Sequence, residues 1–374
     1  MQVVGDGTRS GGTTYVIQLA RGLLRGEHRV TVITNSGSFL EEYARRLGAC
    51  TVGLQFNSRA NTPALAILLR RHLDDIRPEI VHAHGSRGGL PTALASYNKS
   101  WKLIYTVHGL HYNLRRQPLR SLVWMAEKVC MRRADKIVFV AYHDQKVARK
   151  DRLLAGGSQS IVVSNAVSVD TVPQRTGDRV YDIGFLGRLS PQKNPLLLCD
   201  VLVAMRPLRP TLVVIGGGPL QGEFTSRIDK LGLTSQIIVT GELPRSEALD
   251  TLARCRTFVL PSVHEGQPLA VMEAAHLGLP AVVSSLPGTK EIIDEAETGY
   301  CVPIYDVAGY ADRLSRLLMD PDLAGRMSLA AQRRAARDFN FARIVDAYLQ
   351  IYEIPRTTGP SLIESAESIV KAVE

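Results

Sequence analysis

Short apolar runs alternate along the chain with amphipathic segments of helix length. Apolar runs bounded by turn residues are typical of strands that are buried on both faces, as in a parallel sheet. The alternation of strands with helices therefore predicts an α/β fold. The predicted strands are residues 29–34, 79–83, 103–107, 136–140 and 160–163 in the first half, and 182–186, 212–215, 236–240, 257–260 and 281–284 in the second.

A polar stretch with proline and glycine, residues 172–178, separates the two sets of strands and is predicted to be a linker. We therefore expect two doubly wound, Rossmann-like domains, residues 1–170 and residues 171–340. In such sheets the carboxyl ends of the strands line the cleft where ligands bind. Residues 1–4 supply only a stub of the first strand, so the start of the chain is expected to be trimmed or wrongly assigned.

Composition and length exclude several classes of protein. A chain of 374 residues with 45% hydrophobic and 22% charged residues is typical of a globular protein with a large core, not of a disordered one. There is no apolar run of membrane-spanning length and no signal-peptide pattern, which predicts a cytoplasmic protein. The five cysteines are scattered singly and are expected to be reduced, buried and structural.

Positive charge is concentrated in the first half. Residues 1–170 hold 24 Lys and Arg against 12 Asp and Glu, whereas residues 171–374 hold 21 against 24. Residues 114–136 form a basic amphipathic helix by pattern, with Trp124 among arginines. Two interpretations stay open: an anionic membrane surface bound peripherally at the cytoplasmic face, or an ordinary solvated helix. Nucleic-acid binding is a third and weaker interpretation, because no recognition module is present in the sequence.

The most informative stretch is P-S-V-H-E-G-Q-P-L-A-V-M-E, which places Glu265 in a loop and Glu273 in the following helix. Pro268 suits the first helical position, and the free N–H groups of Leu269 and Ala270 favour an anion such as phosphate. Both carboxylates can reach one ligand at the helix start. Because carboxylates repel a diphosphate, they are expected to accept hydrogen bonds from neutral hydroxyls, which sugars and ribose supply.

Two further loops follow predicted strands in the second half. Arg188 offers a planar fork to phosphate oxygens and Lys193 a compact charge, so together they can neutralise a diphosphate. The glycine run Gly216, Gly217 and Gly218 opens a helix and can bring backbone N–H groups close to a nucleotide. Either loop could also be an ordinary surface turn.

The first half contributes a glycine-rich loop and a group of histidines. The loop contains Gly11 and Gly12 ahead of a helix starting near Thr13, but lacks the acidic partner of a dinucleotide site. His108 ends a predicted strand and is followed by glycine. The neighbouring histidines have no regular metal spacing and are predicted to form a polar cleft wall: His82, His84 and His111.

Several motifs resemble, in order, the retaining glycosyltransferases of family 4. They are Gly11-Gly12, T-V-H-G, S-N-A-V, G-R-L with Lys193, G-G-G-P, E-x7-E and G-T-K-E-I-I. The resemblance implies the GT-B architecture, two Rossmann-like domains facing across a cleft. It also implies that residues 341–374 cross back onto the first domain.

The resemblance implies the following site. Glu273 would bind ribose hydroxyls, and Glu265 and His108 the transferred sugar. Arg188 and Lys193 would neutralise the diphosphate as it leaves. The remaining nucleotide-sugar-binding positions would be Gly11, Gly12, Gly216, Gly217, Gly218, Gln267, Pro268, Leu269 and Ala270. Gln267 and Pro268 stand where many relatives have Phe and Gly, which leaves the donor sugar open.

The resemblance therefore implies a retaining transferase of hexosyl or related sugars, acting from a UDP- or GDP-sugar on a glycan or lipid-linked acceptor. No D-x-D motif is present, which predicts metal independence and no cofactor. Polysaccharide, lipopolysaccharide or glycolipid assembly is the expected setting. Three alternatives stay open: a nucleotide-sugar 2-epimerase or a phosphorylase of the same architecture, and a non-catalytic partner in a polysaccharide-assembly complex.

Overall fold

The computed structural model describes residues 1–56, 61–110, 112, 116–168, 172–173 and 178–354. The chain divides into two compact units. Unit 1 consists of residues 1–165 together with the segment that begins at Phe341, and unit 2 consists of residues 166–340. Most of the predicted linker, as well as residues 355–374 of the segment expected to cross back, lies outside the described residues.

Unit 1 contains a seven-stranded parallel sheet in the order β3-β2-β1-β4-β5-β6-β7. Strand order reverses between β1 and β4, so the loops that follow these two strands diverge at the same sheet edge. The strands are β1 Gln2–Val4, β2 Thr31–Asn35, β3 Cys50–Leu54, β4 Ile80–His84, β5 Lys102–Val107, β6 Lys136–Phe139 and β7 Ser160–Val162.

Helices cover both faces of this sheet, and the central strands β4 and β5 are accordingly buried at every residue after the first. The helices are α1 Gly11–Arg25, α2 Phe39–Arg46, α3 Thr62–Ile76, α4 Gly85–Ala95, α5 Leu119–Arg133, α6 Tyr142–Lys150 and α14 Phe341–Tyr352. Helix α1 begins with a capping box, in which Ser10 accepts from the Thr13 N–H and the Thr13 hydroxyl accepts from the Ser10 N–H. Helix α14 packs against α1 through the rings of Phe341 and Tyr15, whose centroids lie 5.7 Å apart.

Unit 2 contains a six-stranded parallel sheet in the order β10-β9-β8-β11-β12-β13, with the reversal between β8 and β11. The strands are β8 Tyr181–Leu186, β9 Leu212–Ile215, β10 Ile237–Gly241, β11 Cys255–Leu260, β12 Ala281–Ser284 and β13 Gly299–Val302. The helices are α7 Leu196–Ala204, α8 Gln221–Leu231, α9 Arg245–Ala253, α10 Leu269–His276, α11 Pro287–Lys290, α12 Val307–Met319 and α13 Pro321–Asp338.

The predicted fold class, two Rossmann-like α/β domains, is confirmed. Two strands were not predicted: β3, whose residues are largely half-buried or exposed, and β13, an edge strand containing glycine and cysteine. The prediction that all five cysteines are buried is wrong for Cys50, which is exposed on the edge strand β3, and for Cys301, which is half-buried on the edge strand β13. None of the described helices is long and apolar enough to span a bilayer.

Candidate functional site

In unit 2, the loops after β8 and β11 meet where the strand order reverses. Lys193, from the loop after β8, places its Nζ 2.5 Å from Oε1 of Glu265 in the loop after β11. The Glu265 side chain is only 7% exposed, so its charge is balanced by this ion pair. Two residues that are 72 positions apart, each singled out from the sequence, are thus brought together at the edge where doubly wound sheets bind ligands.

Other contacts hold the loop that carries Glu265. The Gln192 amide donates to the carbonyl of His264, and Gln267 Nε2 donates to Glu291 Oε2 at 2.9 Å. Gly288 lies so close to the Gly266 carbonyl that a Cβ at this position would be 1.3 Å from its oxygen. Only glycine fits there, which explains a residue of the G-T-K-E-I-I motif. The loop is therefore fixed on both sides, and Glu265 is held in place.

Glu273 lies on α10 and is 3% exposed. Its Oε1 is 2.5 Å from Nη1 of Arg245, the first residue of α9. This guanidinium balances the buried carboxylate, a role that the sequence analysis missed. Arg245 follows a proline in an ordinary helix-start pattern, so its sequence context gave no functional signal.

Pro268 is the N-cap of α10, and the helix begins at Leu269. The prediction that Pro268 takes the first helical position is therefore wrong by one residue, because its ψ of 117° is extended. The N–H groups of Leu269 and Ala270 remain in the first helical turn, as predicted. Gln267 is buried and paired with Glu291, so it supports the loop.

The glycine run after β9 has a structural requirement of its own. Gly216 has φ of +133° and Gly218 φ of +154°, and a Cβ on either would approach a carbonyl oxygen of Gly187 or Leu189 within 2.5 Å. The run therefore packs against the turn that carries Arg188, where Leu189 donates its N–H to the Gly217 carbonyl. Arg188 itself is exposed, unlike Lys193.

In unit 1, a cavity of about 280 Å³ lies where the strand order reverses between β1 and β4. Its lining comes from the glycine-rich loop, the start of α4, the end of β5 and the buried face of α5. Polar lining residues include Asp6, Ser10, Ser86, Arg87, His108 and Glu127. Helix α1 begins at Gly11, two residues before the predicted start, so Gly11 and Gly12 contribute N–H groups of its first turn.

The histidines do not form a single wall. His108 and His84 line the cavity with their ring centroids 5.3 Å apart. His82 is fully buried beneath them and is not part of the lining, so the prediction is wrong for this residue. His111 lies outside the described residues. Burial lowers the pKa of His108 to about 4.

Glu127 on α5 is a cavity residue that the sequence analysis missed. Its Oε2 accepts from the Tyr105 hydroxyl at 2.7 Å, and the residue is 5% exposed. Burial raises its pKa to about 7, partly offset by hydrogen bonds from Tyr105 and Ser86. Within a basic helix, one glutamate gives no sequence signal of burial. Only the orientation of α5 places it inside.

Among the described residues, no group of three or more His, Cys, Asp or Glu side chains could hold a metal ion. The candidate residues fall into two sets. Gly11, Gly12 and His108 lie in unit 1, and those from Arg188 to Glu273 lie in unit 2. The structure brings Lys193 to Glu265 and Arg245 to Glu273 within unit 2.

Comparison with known families agrees with this division into two units. The model described as Glycosyltransferase Family 4 matches residues 9–171, and the model described as Glycosyl transferases group 1 matches residues 173–334. The fold of each unit is that found in GT-B glycosyltransferases. The chain belongs to glycosyltransferase family 4.

Individual relatives are distant. The E. coli UDP-Gal:alpha-D-GlcNAc-diphosphoundecaprenol alpha-1,3-galactosyltransferase is 24% identical over 76% of this chain and 78% of its own. The D-inositol 3-phosphate glycosyltransferase of Salinispora arenicola is 25% identical over 97% of this chain and 91% of its own. Among solved structures, Anabaena HepE in complex with UDP has a TM-score of 0.80 at 16% identity, covering 94% of this chain and 98% of that chain.

We expect Glu127→Gln to remove a pH-dependent cost of folding. Below the unfolded-state pKa of 4.5, Glu127 is protonated in both states and costs nothing. As the pH rises to about 7, only the unfolded chain ionises, so wild-type stability falls relative to the variant by about 1.4 kcal/mol per pH unit. The cost then levels off on the order of 3 kcal/mol.

Denaturant unfolding at pH 5 and pH 8 measures this difference. Glu79→Gln, at an exposed glutamate of unit 1, is the matched control and should track the wild type at both pH values. A Glu127→Gln variant that tracks the wild type in the same way would contradict the buried, protonated carboxyl.

Proposed function

We propose that this protein is a retaining, metal-independent glycosyltransferase that moves a hexosyl or related sugar from a nucleotide-diphosphate sugar to an acceptor hydroxyl. The observation that carries the proposal is the Lys193–Glu265 pair at the reversal of strand order in unit 2. In a sugar nucleotide, the sugar hydroxyls lie directly beside the phosphate. A cation for the phosphate and a carboxylate for the hydroxyls are therefore needed side by side.

In this proposal unit 2 binds the donor. Arg188 and Lys193 neutralise the diphosphate as the bond from phosphate oxygen to the sugar breaks. Glu265 accepts hydrogen bonds from the sugar, and Glu273 accepts them from the ribose. The first-turn N–H groups of Leu269 and Ala270 and the backbone of Gly216, Gly217 and Gly218 approach the phosphates.

Unit 1 binds the acceptor, and His108 contacts the transferred sugar. Gly11 and Gly12 present first-turn N–H groups beside the cavity, where no side chain obstructs a ligand. Retention would follow from substitution on one face of the sugar. The acceptor oxygen bonds to the anomeric carbon as the phosphate leaves, and the acceptor proton passes to a phosphate oxygen.

UDP is the favoured donor nucleotide, with GDP as the alternative. HepE was solved with UDP and with UDP-glucose, and the E. coli relative is named for UDP-Gal and a diphosphoundecaprenol acceptor. A glycan or lipid-linked acceptor in polysaccharide, lipopolysaccharide or glycolipid assembly fits these relatives.

Incubation with a panel of UDP-, GDP- and ADP-sugars, with and without lipid extract, tests the function. Transfer, or slow donor hydrolysis without acceptor, supports the proposal. Epimerised donor would identify an epimerase, and release of a sugar phosphate in the presence of inorganic phosphate a phosphorylase. Donor binding without turnover in every arm would identify a non-catalytic partner.

Arg188→Ala and Lys193→Ala should differ in their effects on stability. Each should lower turnover on the order of a hundredfold, since a charged contact to a leaving group contributes about 3 kcal/mol. Arg188 is exposed, so its loss should leave stability unchanged. Lys193→Ala leaves the carboxylate of Glu265 buried and unpaired, which should cost about 3 kcal/mol of folding free energy.

Steady-state kinetics and denaturant unfolding of both variants give the two readouts. Lys230→Ala, at an exposed lysine of unit 2, is the matched control and should change neither. Near-normal turnover of the Arg188→Ala/Lys193→Ala double variant would show that this loop is purely structural.

Activity should persist in excess EDTA, and the product should keep the anomeric configuration of the donor. The motivation is the missing D-x-D motif together with the basic side chains available to neutralise the leaving group. Proton NMR of freshly formed product reads the anomer. An inverted product, or an absolute requirement for Mg²⁺ or Mn²⁺, would overturn this part of the proposal.

The exposed face of α5 is proposed to bind an anionic membrane surface peripherally, on the cytoplasmic side. Leu122 is 61% and Met125 57% exposed, and the last turn of the same helix carries the exposed basic residues Arg132 and Arg133. Exposed apolar side chains flanked by cations suit an anionic lipid interface. Trp124, by contrast, is half-buried and donates its indole N–H to the Asp151 carbonyl.

The wild type should sediment together with acidic vesicles at low salt, and it should stay in the supernatant at high salt. Arg132→Glu/Arg133→Glu should abolish binding, and Leu122→Asp/Met125→Asp should weaken it at every salt concentration. Arg45→Glu/Arg46→Glu, on the exposed face of α2, makes the same charge change and should bind nearly as the wild type. Equal loss with both charge variants would mean that only net charge matters.

A further inference from the structure

A continuous chain of buried polar side chains leads from the unit 1 cavity to helix α14. Nε2 of His108 lies 3.1 Å from Nδ1 of His84, and Nε2 of His84 lies 2.7 Å from Oε1 of Gln2. Gln2 then donates from its amide nitrogen to the hydroxyl of Tyr352 on α14, at 3.2 Å. His84 is 5% and Gln2 2% exposed, so these polar groups depend on one another for hydrogen bonds.

His84 and His108 are both neutral at physiological pH. Burial lowers the pKa of His108 to about 4 and holds the pKa of His84 well below its ordinary value. A neutral imidazole has one N–H donor and one accepting nitrogen. The neighbours of each ring therefore decide which nitrogen carries the hydrogen.

This series of hydrogen bonds determines the tautomers of His84 and His108, starting from Gln2. With the Gln2 amide nitrogen directed at the Tyr352 hydroxyl, the carbonyl oxygen Oε1 faces His84 and can only accept, so Nε2 of His84 carries the hydrogen. Nδ1 of His84 is then an acceptor, and Nε2 of His108 must donate to it. This leaves Nδ1 of His108 without a hydrogen. None of the described residues hydrogen-bonds to that nitrogen, and His108 lines the cavity.

The ring of His84 is held on its other side as well. It packs against the ring of His82 at a centroid separation of 4.0 Å, and His82 is hydrogen-bonded to Tyr352 and Thr106 at 2.7 and 2.6 Å. The Thr106 hydroxyl in turn contacts that of Tyr348 on α14 at 3.0 Å. Helix α14 thus closes the network around His84, which restricts rotation of that ring.

We propose that His84 is a positioning residue which, with Gln2, holds His108 as the Nε2–H tautomer and presents its Nδ1 as a hydrogen-bond acceptor to a hydroxyl of the transferred sugar. The inference rests on the proposed function, in which His108 contacts that sugar. A sugar hydroxyl can donate a hydrogen bond as well as accept one, and in this tautomer Nδ1 accepts the hydrogen bond that the hydroxyl donates. The opposite tautomer would offer an N–H at the same place.

Long-range ¹H–¹⁵N NMR of histidine-labelled full-length protein tests the tautomer without any activity assay. We expect a protonated Nε2 and a pyridine-type Nδ1 for His108, with signals assigned from the spectrum of His108→Ala. Gln2→Met removes the acceptor for His84 and should convert His108 to a mixture of tautomers. A protonated Nδ1 of His108 in the wild type would overturn the proposal.

Kinetics then test the link to the sugar, with whichever donor the panel shows to be turned over. Loss of one oriented hydrogen bond should lower kcat/KM for that donor about tenfold in Gln2→Met and in His84→Phe. His143→Phe, at an exposed histidine of unit 1, is the matched control and should change neither spectrum nor rate.

The outcomes separate this inference from the proposed function. If the panel shows no transfer, the proposed function fails, while the NMR arm still decides the tautomer. If the tautomer is as expected but Gln2→Met turns over donor at the wild-type rate, the link between His108 and the sugar is overturned. Should His84→Phe fail to fold, Gln2→Met gives both readouts without altering either ring.

Discussion

The reversal of strand order in each sheet is the constraint on which the rest of this structure depends. Parallel strands end at one edge, and only where neighbouring connections run in opposite directions do the loops diverge and leave room for a ligand. In unit 2 this point lies between β8 and β11, where Lys193 and Glu265 meet. In unit 1 it lies between β1 and β4, where the cavity forms. The position of the candidate site in each unit therefore follows from the topology of its sheet.

The candidate sites of the two units stabilise their buried polar groups in different ways. Unit 2 buries carboxylates and balances each with a cation, Lys193 for Glu265 and Arg245 for Glu273. Unit 1 buries imidazoles that stay neutral and satisfies them with one another and with Gln2. Ion pairs suit contacts with a charged diphosphate and its hydroxylated neighbours, whereas neutral rings suit contacts with hydroxyls alone.

Helix α14 connects sequence-distant parts of the chain in unit 1. The hydroxyl groups of Tyr348 and Tyr352 form hydrogen bonds with Thr106, His82 and Gln2. These partners lie more than two hundred residues away in the sequence. Burial raises the pKa of Tyr348 to about 12, so these phenols stay protonated and act as neutral hydrogen-bonding groups. The segment after unit 2 is thus part of the polar support beneath the cavity.

The sequence by itself determined the alternation of strands and helices, the two-domain fold and most of the candidate site residues of unit 2. Its signals are local: apolar runs for buried strands, and Glu265, Lys193 and the glycine run placed just after strands. Only the tertiary structure decided which carboxylates are paired, because Arg245 and Glu273 belong to different helices. It likewise decided that Glu127 points inward from a basic helix, and that Gln2 and Tyr352 stand behind His84. Burial and pairing arise from packing between segments far apart in the chain, which no local pattern encodes.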